Sequence, residues 1–91
     1  MMLLLAKSKA GHDKGQIFVV TGSGDGYYSI CDGKHRLCSK PKQKKEKHLQ
    51  LIKHIPKEVV AIAESLEKME DSDIRKIIRA YVNTQEGEAD G

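Results

Sequence analysis

Gly11-His12-Asp13-Lys14-Gly15-Gln16-Ile17-Phe18-Val19-Val20-Thr21 (GHDKGQIFVVT) is a glycine-bracketed turn that runs straight into a strand. Gly15 can take the positive φ that a tight reversal needs. From Gln16 to Thr21 the residues are largely β-branched or aromatic, the composition that suits a pleated, packed surface. Along such a strand Ile17 and Val19 point one way while Phe18 and Val20 point the other. A strand apolar on both faces must be covered on both. A barrel interior can cover one face, and the C-terminal segment is the only cover available for the other.

Outward from this stretch, glycines and short apolar runs divide the first half of the chain. Leu3 to Ala6 reads as a first strand, Ser23-Gly24-Asp25-Gly26 as a turn, and Tyr27 to Cys31 as a third strand. Asp32-Gly33 is a type I′ hairpin signal, which makes Lys34 to Cys38 a short fourth strand. Leu49 to Ile52 supplies a fifth. Five short strands joined by tight turns predict a small barrel over residues 1–54.

The periodicity then changes. Pro56 suits the first turn of a helix, and Val59, Ile62, Ala63, Leu66 and Met69 follow the i, i+3, i+4, i+7 stripe. Asp71 or Ser72 is a candidate N-cap for a second stripe of Ile74, Ile77, Ile78, Tyr81 and Val82. Residues 55–84 are therefore expected to be a helical tail. The polar composition of Gln85 to Gly91 predicts disorder. The fold class expected is α+β, a barrel of about five strands followed by two short helices.

Charge is divided in the same place. From Met1 to His54 there are 11 Lys/Arg against 4 Asp/Glu, and from Ile55 to Gly91 there are 5 against 9. A basic half joined to an acidic half points to a polyanionic partner for the first. The longest wholly apolar stretch, Met1 to Ala6, is too short to cross a membrane and lacks the basic residue that precedes a secretory apolar segment. A cytoplasmic location, reduced thiols and no membrane partner are the expectations.

Two basic clusters carry the chemistry. In the Gly11–Gly15 turn, Lys9, His12 and Lys14 flank glycines that put no side chain in the way, so amide N–H groups and cations can meet one phosphate. The alternative is a plain turn with solvated lysines. From Lys40 to His48, five of nine residues are lysine (Lys40, Lys42, Lys44, Lys45 and Lys47). Pro41 disfavours a helix, so this run reads as an extended arm tracking a nucleic-acid backbone, or else as a solvated linker. Between the clusters stand Lys34 and Arg36, and a guanidinium can grip a phosphate bidentately or stack on a base. Tyr27 and Tyr28 are adjacent, so one faces the barrel core while the other can offer a stacking surface.

Catalytic and metal chemistry find little support. Cys31 and Cys38, with His35 between them, lack the paired knuckles of a structural zinc site. Cys31 with His35 has no third orienting group. No phosphate loop and no paired-carboxylate signature is present, so no cofactor, metal or small-molecule substrate is expected.

The segment Ser8-Lys9-Ala10-Gly11-His12-Asp13-Lys14-Gly15 with its adjoining strand, then Asp32-Gly33-Lys34-His35-Arg36, then Pro41-Lys42-Gln43-Lys44-Lys45-Glu46-Lys47-His48-Leu49, resembles the small bacterial KOW-domain RNA-binding proteins. That family is similar to a group of archaeal and eukaryotic large-subunit ribosomal proteins. The resemblance implies an SH3-like barrel whose KOW loop touches RNA, ribosomal RNA or the ribosome included. His12 stands where the family commonly has arginine, which turns a permanent charge into a pH-dependent one. RNA binding without catalysis is the reading, through Lys9, Gly11, His12, Lys14, Gly15, Lys34, Arg36 and the lysine arm. The alternative is a protein-interaction adaptor that docks through the Ile74-Ile77-Ile78-Tyr81 stripe.

Overall fold

In the computed structural model, which describes the backbone of residues 3–90 and the side chains of 3–85, the strand that leaves the glycine turn is β2 (Ile17–Gly24). It pairs on one side with β1 (Leu5–Ser8) and on the other with β3 (Tyr27–Cys31), both antiparallel. A register shift between Val20 and Gly22 bends β2 against β3. β4 (Lys42–Lys45) adds to β3, a 3₁₀ turn spans Glu46–His48, and β5 (Leu49–Leu51) returns to pair with β1. The helices α1 (Lys57–Glu64) and α2 (Asp71–Asp90) complete the chain. The architecture is thus α+β, with a five-stranded antiparallel sheet in the order β4-β3-β2-β1-β5.

Several expectations need correction. The sheet does not close, because β4 and β5 are its two edges and do not pair with each other. Lys34 to Cys38 is a loop, because the Asp32 carboxylate captures the amides a strand would offer to its neighbour. Lys42–Lys45 is the fourth strand, so the lysine run is sheet and turn rather than a free arm. The first strand begins at Leu5, two residues later than its apolar run. Pro56 stands just outside α1, where its carbonyl accepts the amides of Val59 and Val60. The backbone of α2 continues helically through 85–90, for which composition predicts disorder, since each residue added to an existing helix gains a hydrogen bond. Met1, Met2 and Gly91 lie outside the described residues.

Both faces of β2 are covered over Ile17–Val20, each by a different device. Val19, with its cross-strand neighbours Leu5 and Cys31, packs under the helices against Val59, Ala63, Ile74, Ile77 and Tyr81. Ile62, Leu66, Met69 and Ile78 pack on the same cluster, so the first stripe keeps its role although α1 ends at Glu64. Ser65 terminates α1 with its hydroxyl donating to the Ile62 carbonyl. On the opposite face Ala6, Phe18, Ile30 and Leu49 are 0–5% exposed with no helical residue among them. Burial that complete without a helix requires the sheet to curl over its own face. Tyr28 packs there, whereas Tyr27 is exposed.

Among the described residues no helix is long and apolar enough to cross a membrane. Cys31 and Cys38 are both free. Burial, joined by the neighbouring Cys38, pushes the Cys31 thiol up to about 12. It is therefore protonated near neutrality, and only the thiolate is a nucleophile.

Candidate nucleic-acid interface

The turn from Ala10 to Gly15 joins β1 to β2, and backbone bonds close it. Gly15 N donates to the Ser8 carbonyl at 2.8 Å, Lys14 N to Gly11 O and Gln16 N to Asp13 O. Gly11 and Gly15 have φ of 89° and 90°, the left-handed conformation expected for Gly15. With the amides of Lys14 and Gly15 committed, less of the backbone is open to a phosphate than the glycine spacing implies.

A cation from a distant strand fixes this turn. Cross-strand neighbours point to the same face, and Lys44 and Lys42 oppose Tyr28 and Ile30. Both lysines therefore face inward, while Gln43 and Lys45 face out. The Lys44 ammonium donates to Ser8 Oγ at 2.9 Å, the Ala10 carbonyl at 3.0 Å and Asp13 Oδ1 at 2.6 Å. An ammonium has three protons, so all of them are satisfied within the chain. Lys44 is 9% exposed, and it ties β4 to the turn. Lys42 approaches the same carboxylate at 3.7 Å and stays partly exposed. Burial alone would raise the Asp13 carboxyl. The hydrogen bonds from Lys44 and Ser8 and the charges of Lys44 and Lys42 outweigh it and bring the pKa down to about 2.

The loop after β3 is shaped by Asp32. Its Oδ1 accepts the amides of Lys34, His35 and Arg36 at 2.8–2.9 Å, and the amides of Asp32 and Gly33 both donate to the Arg36 carbonyl. Burial opposes ionisation here too, but the three amides hold Asp32 below the usual carboxylate range. The loop is pinned to the start of α2. Arg75 Nη1 donates to Gly33 O, Cys38 N donates to Asp71 Oδ1 at 2.7 Å, and the Cys38 thiol reaches the Met69 carbonyl. The side chains of Lys34, His35 and Arg36 are left exposed.

The two loops border one recess. Gly11, His12 and Asp13 line one side, Asp32, His35 and Arg36 the other, and Gln16, Phe18, Lys42 and Lys44 the space between. Its carboxylates, Asp13 and Asp32, are both engaged by internal donors. The free charge facing outward is cationic. Of the residues expected at an RNA surface, the fold gathers Gly11, His12, Arg36, Lys42 and the buried Lys44 at this recess. Lys9, Lys14, Lys40, Lys45 and Lys47 are exposed outside its walls. Gly15 and Lys34 border an adjoining recess. Gln16 and His35 join the walls although the sequence does not point to them as RNA contacts. For His35 the available signal is its place between Lys34 and Arg36, whereas nothing in the sequence marks Gln16.

Among the described residues no group of three or more His, Cys, Asp or Glu side chains is placed to hold a metal ion. No family model matches the chain, and no curated protein matches it.

Proposed function

We propose that this chain binds structured RNA, ribosomal RNA included, without catalysing a reaction, and that it does so in the cytoplasm as a KOW-type protein with an SH3-like sheet. One observation carries the reading. Two loops distant in sequence, Gly11–Gly15 and Asp32–Arg36, meet at a recess whose carboxylates are engaged from within, Asp13 by Lys44 and Lys42 and Asp32 by three backbone amides, and whose outward groups are His12, His35, Arg36 and Lys42. Arg36 forms no ion pair among the described residues and Lys42 stays partly exposed beside its 3.7 Å pair with Asp13, and exposed cations of this kind are what a phosphate backbone requires. The strand order, a four-strand meander with a fifth strand returning to β1 after a 3₁₀ turn, is compatible with an SH3-like sheet left open at one seam. The adaptor alternative needs a free apolar stripe on α2. Ile74, Ile77 and Tyr81 are instead buried in the chain's own core.

Binding to a structured RNA, titrated with monovalent salt, tests the proposal. With about five phosphate contacts the slope of log K against log salt should be roughly −3 to −5. A slope near zero would reject it in favour of apolar docking.

A further inference from the structure

The acidic balance of the C-terminal half gives no reason to look for an anion site on α2. The fold nevertheless groups its arginines. Arg75 and Arg79 are four residues apart, so they lie one turn apart on the same side of the helix. Both line a second recess, whose opposite wall is formed by Gln16, Lys34 and His35. That recess shares Gln16, Asp32 and His35 with the first one, so the two adjoin along a common ridge. The carboxylate lining it, Asp32, has one oxygen holding three backbone amides. No carboxylate among the described residues forms an ion pair with Lys34 or Arg79. Arg75 is part-committed, since it donates to the Gly33 carbonyl and so holds the loop that presents Lys34 and His35.

We infer that the RNA surface crosses from the sheet onto α2. The strand of RNA that meets His12 and Arg36 passes over the Gln16–His35 ridge, and its next phosphates lie between Lys34 and Arg79. Arg79 is then an RNA-contacting residue, its planar fork suited to two phosphate oxygens. Arg75 is a positioning residue that acts through Gly33. This inference rests on the RNA-binding reading above. It assigns the helical tail a direct part in recognition, where the charge balance of the sequence assigned none.

The experiment uses the full chain and one structured RNA, with salt titrations of the parent, Arg79→Gln and Lys76→Gln. Lys76 is the control, an exposed α2 cation outside the recess walls. Unchanged melting temperatures would verify that both variants fold. Arg79→Gln should weaken binding several-fold and make the salt slope shallower by about one, the signature of one lost phosphate contact. Lys76→Gln should leave the slope within error. A steep parent slope that Arg79→Gln does not alter overturns the inference and leaves the RNA reading standing. Equal losses in the two variants also overturn it, since the effect would then be net charge. A flat slope in the parent removes the RNA reading and this inference together.

Discussion

Lys44 and Lys45 are neighbours of one residue type, yet one is a structural tie and the other an exposed charge. The sequence places both in a single basic run, and nothing local to the run separates them. The distinction comes from the register of β4 on β3, which sets Lys44 opposite Tyr28 and aims it at the turn. Asp13→Asn would leave that ammonium without its counter-charge. Removing one member of a mostly buried ion pair strands the other, so a loss of about 2–3 kcal/mol is expected in a denaturant titration. Acid should act at the same place. The folded pKa of Asp13, about 2, lies below its ordinary value of 3.8, so its stabilisation is present above pH ~4 and is lost as pH falls towards ~2. Melting curves taken between about pH 5 and 2 should show the parent losing about 1–2 kcal/mol that Asp13→Asn never had. Parallel curves would mean that the Lys44 tie does not stabilise the fold.

The segment that departs most from its sequence reading is Asp32–Cys38. Asp-Gly is a strong hairpin signal, and here Gly33 does take a φ of 75°. Residues 34–38 nevertheless form a side-chain-capped loop, because Asp32 competes with a strand ladder for the same amides. No local signal shows that this loop abuts α2, about forty residues away in the sequence, since that contact exists only once the helix packs. Comparing two glycines isolates the packing effect. A Cβ on Gly15 would meet nothing within 4 Å, while one on Gly33 would come 2.3 Å from the Asp71 carbonyl oxygen. Gly15→Ala should therefore cost only its left-handed backbone, about 1 kcal/mol. Gly33→Ala should cost on the order of 2–4 kcal/mol and should also weaken RNA binding, because Lys34, His35 and Arg36 would shift with the loop. Equal destabilisation of the two variants would show that loop and helix can separate freely.

For the molecule as a whole, the two-sided hydrophobicity of Ile17–Val20 is the most informative local pattern. It demands two covers, and the helical stripes identify one of them. Which cover meets which face is not legible in the sequence, because that depends on strand order and on the direction in which the sheet curls. The helices pack on the Leu5–Val19–Cys31 face, and Ile77 in their midst is fully buried. Ile77→Asp would put an unpaired carboxylate in that interface. The penalty, about 3–5 kcal/mol, is comparable with the whole stability of a small domain. Loss of sheet and helix in one cooperative transition, or failure to fold at all, is the outcome expected by circular dichroism. Two separate transitions would show that the tail is an independent arm.

The unclosed sheet has a further consequence, for how copies of the chain behave towards each other. β4 is an edge strand, and a bare edge is a template on which another molecule can add a strand and begin to aggregate. Here the edge reads Lys42-Gln43-Lys44-Lys45, with Lys40 and Lys47 on either side. A second copy approaching edge to edge would bring the exposed Lys40, Lys45 and Lys47 against like charges, so these lysines act as gatekeepers of solubility. The exposed lysines proposed to meet a polyanion would thus also keep the protein from polymerising through its open seam.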